Sequence, residues 1–456
     1  MPSRNLFAAL SFLFSVLTFT VSGSGQGIPP YPNALTDRLI HQETPMAPPP
    51  RNVVFADPDF GSLMVRATDS TTNFKLPGTF LRTEASGEQN EWSADTKKFY
   101  VTGKGGQVLA FAFDPSSMAI GSLPNAGSGQ GLLLPLSPGP TFSFVDPDLI
   151  YGTTSKAPLT ITSYRFSTGL LTPVIDTTAC GLQPPLSGHP VSDEDVSLSL
   201  DDSRVSVSVG GSQSGKQMFV VVYDKSLGCR WFNTQTGQIG GQWGPSGSAS
   251  ISTSYLIRHA YLARSGSYVH ILTDIGAWYV WDLATLNLTS CIISYSGDCT
   301  GYGVEGYNNH VNGPAVLDDM QVVMRPYSDL TQITSLFYPI PSPPNWGQSQ
   351  HFTWSNVNVS DTTPVCGSTY SYDGDMIFDQ PFGGEIFCVE TDGLASTVWR
   401  FAHNRASYIT PYFQTQPLGN VSMDGSFYLF TSDWDAQLGI GKDGTPLSDV
   451  YIVKLD

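Results

Sequence analysis

A turn motif recurs along this chain at an almost constant spacing of about 54 residues. In each copy a short apolar strand leads into a turn rich in Asp, Ser, Gly or Thr, and a second apolar strand follows. The turns fall at positions 95, 148, 202, 265, 319, 373 and 424, so the intervals are 53, 54, 63, 54, 54 and 51 residues. A period of this length indicates repeated units that must pack on one another to bury both their faces.

Each repeat has the pattern of a small antiparallel sheet. Several repeats add a third strand-like run, as at 108–113 and 219–223, and no long amphipathic helix pattern occurs from Val53 onward. Three or four short strands per unit, repeated radially, are typical of a β-propeller blade. We therefore predict an all-β fold, a seven-bladed β-propeller. An open pair of packed sheets is the alternative that the steady period disfavours.

Three segments are expected along the chain. Residues 1–23 have one positive charge, Arg4, an apolar run and a small-residue exit, which is typical of a secretory signal peptide. Residues 24–52 form a Pro/Gly-rich leader, and 53–456 form the propeller. Strand-like residues within 53–69 are expected to complete the last blade and close the ring, which would remove exposed sheet edges. We expect a secreted or periplasmic protein with no membrane contact after signal removal.

The six cysteines suit an extracytoplasmic chain, because an even number of cysteines in a secreted protein suggests disulfides. Six cysteines allow fifteen pairings, and a preference for short loops selects one of them. The expected pairs are Cys180–Cys229, Cys291–Cys299 and Cys366–Cys388.

The net charge of −17 argues against a nucleic-acid partner, because the field of the protein would repel phosphates. It leaves room for a small positive pocket on an acidic body. We expect a monomer whose partner, if it has one, is a carbohydrate.

Four histidines, each beside a different turn or blade boundary, and two arginines next to them are candidate catalytic residues. These are His259, His310, His351, His403, Arg258 and Arg400. A propeller brings loops from every blade around one axis, so such imidazoles could act as a base or hold a divalent metal ion. The sequence does not identify the metal. His189 is a further histidine that precedes a repeat turn. The alternative is that each histidine packs between blades, and that the arginines form interblade ion pairs with residues such as Asp433 or Glu385.

A Gly-, Asn- and Tyr-rich segment at 301–314 suggests sugar recognition by hydrogen bonding and stacking. The expected substrate-binding residues are Tyr307, Asn309 and Asn312 in this segment, together with Gln416, which precedes the last repeat. The alternative for the segment is an ordinary loop, because Asn and Gly are turn formers.

The last repeat carries Gln416-Pro417, Ser422-x-Asp424-Gly425 and a Phe-Thr-Ser-Asp-Trp run at 430–434. These residues resemble the repeat of secreted bacterial TolB-like propellers with an SPDG turn, and the chain is distantly similar to oligogalacturonate lyases. That resemblance implies a seven-bladed propeller with a histidine-rich metal centre. Lyases of this family have histidines just before the last turn, where this chain has Gln416 and no histidine. Our hypothesis is a secreted propeller with a central face lined by His and Arg that acts on a carbohydrate in a lyase-like reaction. The alternative is a non-catalytic extracellular binding or scaffold propeller.

Overall fold

The computed structural model describes most of the chain after residue 30. The described residues are 31–84, 88–182, 196–210, 217–249, 255–274, 277–291, 303–312, 321–337, 348–371, 380–392, 397–407 and 412–456. Within them no helix is long and apolar enough to cross a membrane. Two short helical segments, Thr177–Cys180 and Phe413–Thr415, are single 3₁₀ turns.

The strands form seven antiparallel blades, which confirms the predicted all-β propeller. Blade 1 contains Leu81–Arg82, Lys98–Gly103, Gln107–Asp114 and Ala119–Gly121, with Leu132–Leu133 added to its third strand. Blade 2 contains Thr141–Phe142, Leu149–Thr154, Ala157–Arg165 and Leu170–Asp176. Blade 3 contains Ser197–Leu198, Arg204–Gly210, Gln217–Asp224, Gly228–Asn233, Gln238–Gly241 and Gly247–Ser248. Blade 4 contains Ile257–Leu262, Tyr268–Thr273, Trp278–Asp282 and Leu288–Cys291.

The remaining three blades follow the same order. Blade 5 contains Gly303–Glu305, Asn309–Asn312, Val322–Pro326 and Thr334–Phe337. Blade 6 contains Gln348–Thr353, Val365–Ser371, Glu385–Val389 and Val398–His403. Blade 7 contains Gly419–Val421, Phe427–Ser432, Asp449–Lys454, Leu63–Arg66 and Val54–Ala56.

The first strand of each blade lies nearest the axis. First strands of neighbouring blades approach each other directly, as Gly303–Glu305 does with Gln348–Thr353. Side chains at the inner edge of these strands therefore converge around one axis, which positions the candidate site.

The N-terminal strands join the last blade. Leu63–Arg66 pairs antiparallel with Asp449–Lys454, with Met64 opposite Val453, and Val54–Ala56 pairs with it in turn. Residues nearly 400 positions apart in sequence thus share one sheet, as the strand-like pattern at 53–69 predicts.

The repeated turns occupy the same place in five blades. There they join the first two strands, and several turn residues have a positive φ, such as Asp202 at 56° and Gly425 at 72°. In blades 5 and 6 the turn motif has a different place in the order of strands. The turns at 319 and 373 lie outside the described residues and connect second to third strands, whereas 306–308 and 354–364 connect the first two strands. A turn motif between two apolar runs marks a hairpin, but it does not reveal which hairpin of the blade.

The core lies between blades rather than inside one of them. Trp92 and Phe113 of blade 1 are 5.4 Å apart between ring centroids, and Phe113 meets Phe427 of blade 7 at 5.0 Å. All three side chains are buried. Each blade therefore depends on its neighbours for the burial of its apolar faces.

Two of the expected disulfides are present. Cys180–Cys229 ties the 3₁₀ turn after blade 2 to the fourth strand of blade 3, and Cys366–Cys388 joins facing residues of adjacent strands in blade 6. These pairings are confirmed. Cys299 lies outside the described residues, so the pairing Cys291–Cys299 stays a prediction.

Candidate functional site

Two imidazoles from different blades stand on first strands of the propeller, and the charge of one acts on the other. His259 is on the first strand of blade 4, and His351 is on the first strand of blade 6. Burial of His351, together with the nearby charge of His259, lowers the pKa of His351 to about 4. His351 is therefore neutral at physiological pH and can accept a proton.

Neighbouring aromatic side chains orient both rings. The His259 ring stacks on Tyr261 at 5.7 Å, and its Nδ1 atom is 3.1 Å from the Tyr261 hydroxyl. The His351 ring stacks on Tyr370, also at 5.7 Å. A ring held from one side presents its remaining edge in a fixed direction, which suits proton transfer.

Two further candidates, a cation and an amide, belong to or precede first strands of blades. Arg258 is exposed on the same strand as His259, where its guanidinium can reach an anionic ligand. Gln416 lies just before the first strand of blade 7 and is 4 % exposed. Its side-chain oxygen has no hydrogen-bond partner within the described residues.

Arg400 and His403 lie elsewhere, which corrects the prediction that all four histidines face the axis. Both are on the fourth, outermost strand of blade 6. Arg400 donates to the two carboxylate oxygens of Glu385 at 2.8 and 2.6 Å and to Asp37 at 2.9 Å. Glu385, a partner named in the alternative, is therefore found at Arg400, but the ion pair lies within blade 6 and not between blades. The spacing of residues around a turn does not distinguish an inner strand from an outer one.

His403 binds the N-terminal segment. Its Nδ1 atom is 3.1 Å from an Asp59 carboxylate oxygen, and its Nε2 atom is 3.0 Å from the carbonyl oxygen of His41. Its backbone N–H donates to Asp57. Both ring nitrogens therefore already face acceptors of the protein itself.

The expected sugar-binding turn in blade 5 is held by its neighbour. The Asp361 carboxylate of blade 6 accepts hydrogen bonds from the Tyr307 and Asn308 backbones and from the Asn309 side chain. These contacts support the alternative of an ordinary turn for Tyr307 and Asn309. Asn312 is 2 % exposed, and its side-chain amide has no partner in the part of the chain that is described.

His310 belongs to a buried cluster between blades 4 and 5. Glu305 accepts from the Nδ1 atoms of His270 and His310 at 2.8 and 3.2 Å, and Tyr327 donates its hydroxyl to the same carboxylate. All four side chains are at most 4 % exposed. The sequence does not reveal this cluster, because nothing local links His270 of blade 4 with Glu305 of blade 5.

A segment of blade 1 crosses the axis. The Glu88 carboxylate accepts the Glu305 backbone N–H of blade 5 at 3.1 Å, and Arg264 of blade 4 donates to the Glu88 carbonyl oxygen at 3.1 Å. On the opposite side, Asn420 of blade 7 donates to the Gln89 carbonyl oxygen at 2.7 Å. These contacts reach blades on both sides of the axis, so the segment fills the central space at this level.

The described residues contain two groups of three ligand-type side chains whose donor atoms lie within 4.8 Å of one another. They are His270 with Glu305 and His310, and Asp57 with Asp59 and His403. Neither group includes His259 or His351, so a metal-dependent step at the inner edge has no such ligand set among these residues. His189, the remaining candidate histidine, lies outside the described residues.

Comparison with known proteins places the fold but not the family. The chain aligns with the structure of an oligogalacturonate lyase from Vibrio parahaemolyticus with a TM-score of 0.54 and 12 % identity, over 88 % of this chain and 96 % of that one. It aligns with an oligogalacturonate lyase in complex with manganese with a TM-score of 0.50 and 12 % identity, over 89 % and 96 %. No protein-family model matches the sequence. No curated protein matches it either.

Proposed function

We propose that this chain is an extracytoplasmic propeller enzyme that cleaves an acidic oligosaccharide by a lyase-type elimination at the inner edge of blades 4 and 6. The observation that carries the proposal is the placement of His259 and His351 on first strands of two different blades, with each ring stacked on a tyrosine. The similarity of fold to oligogalacturonate lyases supports the class of substrate. The two disulfides agree with an oxidising compartment.

Each side chain has a role that its environment supports. Arg258 binds the sugar carboxylate through a charge-assisted contact. His351, kept neutral by its low pKa, removes the proton from the carbon next to that carboxylate. The electron pair of this C–H bond forms a C=C bond as the C–O bond at the next carbon breaks. His259 returns a proton to the departing oxygen, so atoms and charges balance without an added reactant.

The test is formation of the unsaturated product, followed by the ultraviolet absorbance of its new double bond. With oligogalacturonate as substrate, H351Q should lower kcat by at least about 100-fold, the usual contribution of a general base. R258A should act mainly on KM, because it removes a contact to the bound carboxylate. H41Q is the matched control, because His41 lies in the N-terminal segment beside Asp37.

The outcomes separate the enzyme from a non-catalytic propeller. Wild-type turnover that is unchanged in H351Q would contradict the assignment of the base. Oligosaccharide binding without any product, lost in R258A, would instead indicate the alternative function, a non-catalytic binding propeller. The amide of Gln416, in place of a histidine before the last repeat, is the feature that favours that alternative.

A further inference from the structure

We propose that His270, Glu305 and His310 form a second site, a divalent-cation site of the zinc type built into the interface of blades 4 and 5. His270 is on the second strand of blade 4, whereas Glu305 and His310 are on the first and second strands of blade 5. Their donor atoms all lie within 4.8 Å of one another, and the two imidazole rings are 4.5 Å apart. This site is independent of the elimination proposed at the inner edge.

The donor set matches the chemistry of zinc. Zinc binds imidazole nitrogen and carboxylate oxygen at about 2.0–2.2 Å, in four-coordinate sites. Each oxygen of Glu305 faces a different imidazole, so the carboxylate stands between both rings. The Tyr327 hydroxyl, which bonds the same carboxylate, is placed either as a fourth ligand or as the group that orients Glu305.

The local charge also favours a cation. Glu88 is 2 % exposed and its carboxylate accepts the backbone N–H of Glu305, so two buried carboxylates meet at this point. Burial of like charges is costly unless positive charge compensates them. The Arg264 guanidinium is 3.5 Å from the Glu88 carboxylate and offsets part of that charge. A divalent ion held by this cluster would balance the rest.

The cluster is incompletely satisfied as an ordinary hydrogen-bonded core. The Nε2 atoms of His270 and His310 and the Nε1 atom of Trp278 are buried, and none has a hydrogen-bond partner among the described residues. Buried polar atoms are paired in the great majority of cases, and an exception calls for an explanation such as an ion. Two neighbouring imidazoles are thus buried in this interface, and each has a ring nitrogen without a partner among the described residues, which points to a ligand.

The other group of ligand-type residues does not carry the same inference. In the Asp57, Asp59 and His403 group, both ring nitrogens of His403 already contact oxygens of Asp59 and His41. His403 therefore has no spare ring nitrogen, whereas His270 and His310 each keep one among the described residues. That group provides the matched control.

The experiment uses the full chain and zinc itself as the probe. After removal of metal with a chelator, isothermal titration with zinc should show one equivalent bound per chain. Cobalt added in place of zinc should give the visible absorption bands of a tetrahedral site. The melting temperature of the wild type should rise as zinc is added, because the ion binds the folded state.

Substitutions decide which residues bind the ion. H270Q and E305Q should each lower zinc affinity by at least about 100-fold, and they should abolish the zinc-dependent rise in melting temperature. D59N, in the other group, and H259Q, at the inner edge, should keep both. Loss of zinc in H259Q but not in H270Q would move the metal to the inner edge and overturn this proposal.

A folding defect in the variants does not leave the question open, because two measurements use the wild type alone. If the wild-type chain binds zinc with a dissociation constant weaker than about 100 μM, or melts at the same temperature with and without zinc, the proposal is wrong. Lyase activity that persists in a zinc-free chain would leave this site in place and would agree with the metal-free elimination.

Discussion

Replacing Asp361 by Asn should destabilise the protein by about 2–4 kcal/mol, because this carboxylate holds blade 5 to blade 6. Asp361 is 2 % exposed and lies in the loop between the first two strands of blade 6. It accepts from the Tyr307 and Asn308 backbone N–H groups at 2.5 and 2.8 Å, and from the Asn309 side chain at 2.7 Å. Its φ of 52° suits Asn as well as Asp, so the substitution changes the side-chain chemistry and spares the backbone.

The magnitude follows from the donors that lose an acceptor. A hydrogen bond to a charged group contributes about 1.5–3 kcal/mol, and a buried donor left without a partner costs about 1–3 kcal/mol. Asn keeps one oxygen but presents an NH₂ group to the remaining donors, so at least one of the three bonds is lost. Part of this is offset, because burial raises the pKa of Asp361 and the ionised form is itself costly to bury.

The assay is urea unfolding of the wild type, D361N and D329N. Asp329 also caps a turn, where it accepts from Thr331, but it is only half-buried and this hydrogen bond is exposed. D329N should therefore change stability by less than about 0.5 kcal/mol. If D361N unfolds at the same urea concentration as D329N, the carboxylate does not hold the two blades together.

The same turn allows a functional control. If Asn309 bound sugar, N309A would weaken oligosaccharide binding with little loss of stability. The contact of Asn309 with Asp361 predicts the reverse result, which is lower stability with unchanged binding.

Three further predictions concern stability and its pH dependence. Replacing Cys180 and Cys229 together by Ser should lower the free energy of unfolding by about 4 kcal/mol in non-reducing urea titrations, because the bond closes a loop with a sequence separation of 49; a loss below about 1 kcal/mol would contradict this. The pKa of His351 is about 4 in the folded protein, below the unfolded value of 6.5. Its contribution to the free energy of unfolding is therefore present above pH 6.5 and is lost as the pH falls towards 4. Over that range the wild type should lose up to about 3 kcal/mol of stability relative to H351Q. Burial raises the pKa of Asp449 to about 6 despite its contact with Arg66. Its contribution to the free energy of unfolding is therefore present below the usual pKa of 3.8 and is lost as the pH rises through 6, so the wild type should lose up to about 3 kcal/mol relative to D449N. If the stabilities of the two proteins follow parallel curves against pH, the shift is refuted.

The fold could be predicted because it depends on local patterns repeated many times. A hairpin needs only a turn residue that tolerates positive φ between two apolar strands, and seven such units determine the propeller. The pairing of residues 53–69 with the last blade also followed from a strand pattern that had no other partner. The place of 319 and 373 in the order of strands was not readable from the sequence, since every hairpin of a blade has similar turns.

The candidate site was only partly readable, because its residues meet across blades. His259 and His351 stand on first strands, and His403 on a fourth strand, yet each lies near a turn in the sequence. The rank of a strand in its sheet determines its distance from the axis, and a single repeat motif does not encode that rank. Glu305 shows the same limit from the other direction, because its partner His270 belongs to another blade.

One face of blade 4 carries both proposed sites at different distances from the axis. Tyr261 pairs with His270 across adjacent strands, and His259 lies two residues before Tyr261, so all three side chains point to the same face. His259 is at the inner edge and half-buried, whereas His270 is one strand further out and only 4 % exposed. A substrate can reach the first imidazole, and only a small ion can be held by the second. In these proposals the same residue type would serve proton transfer near the axis and hold an ion between blades 4 and 5.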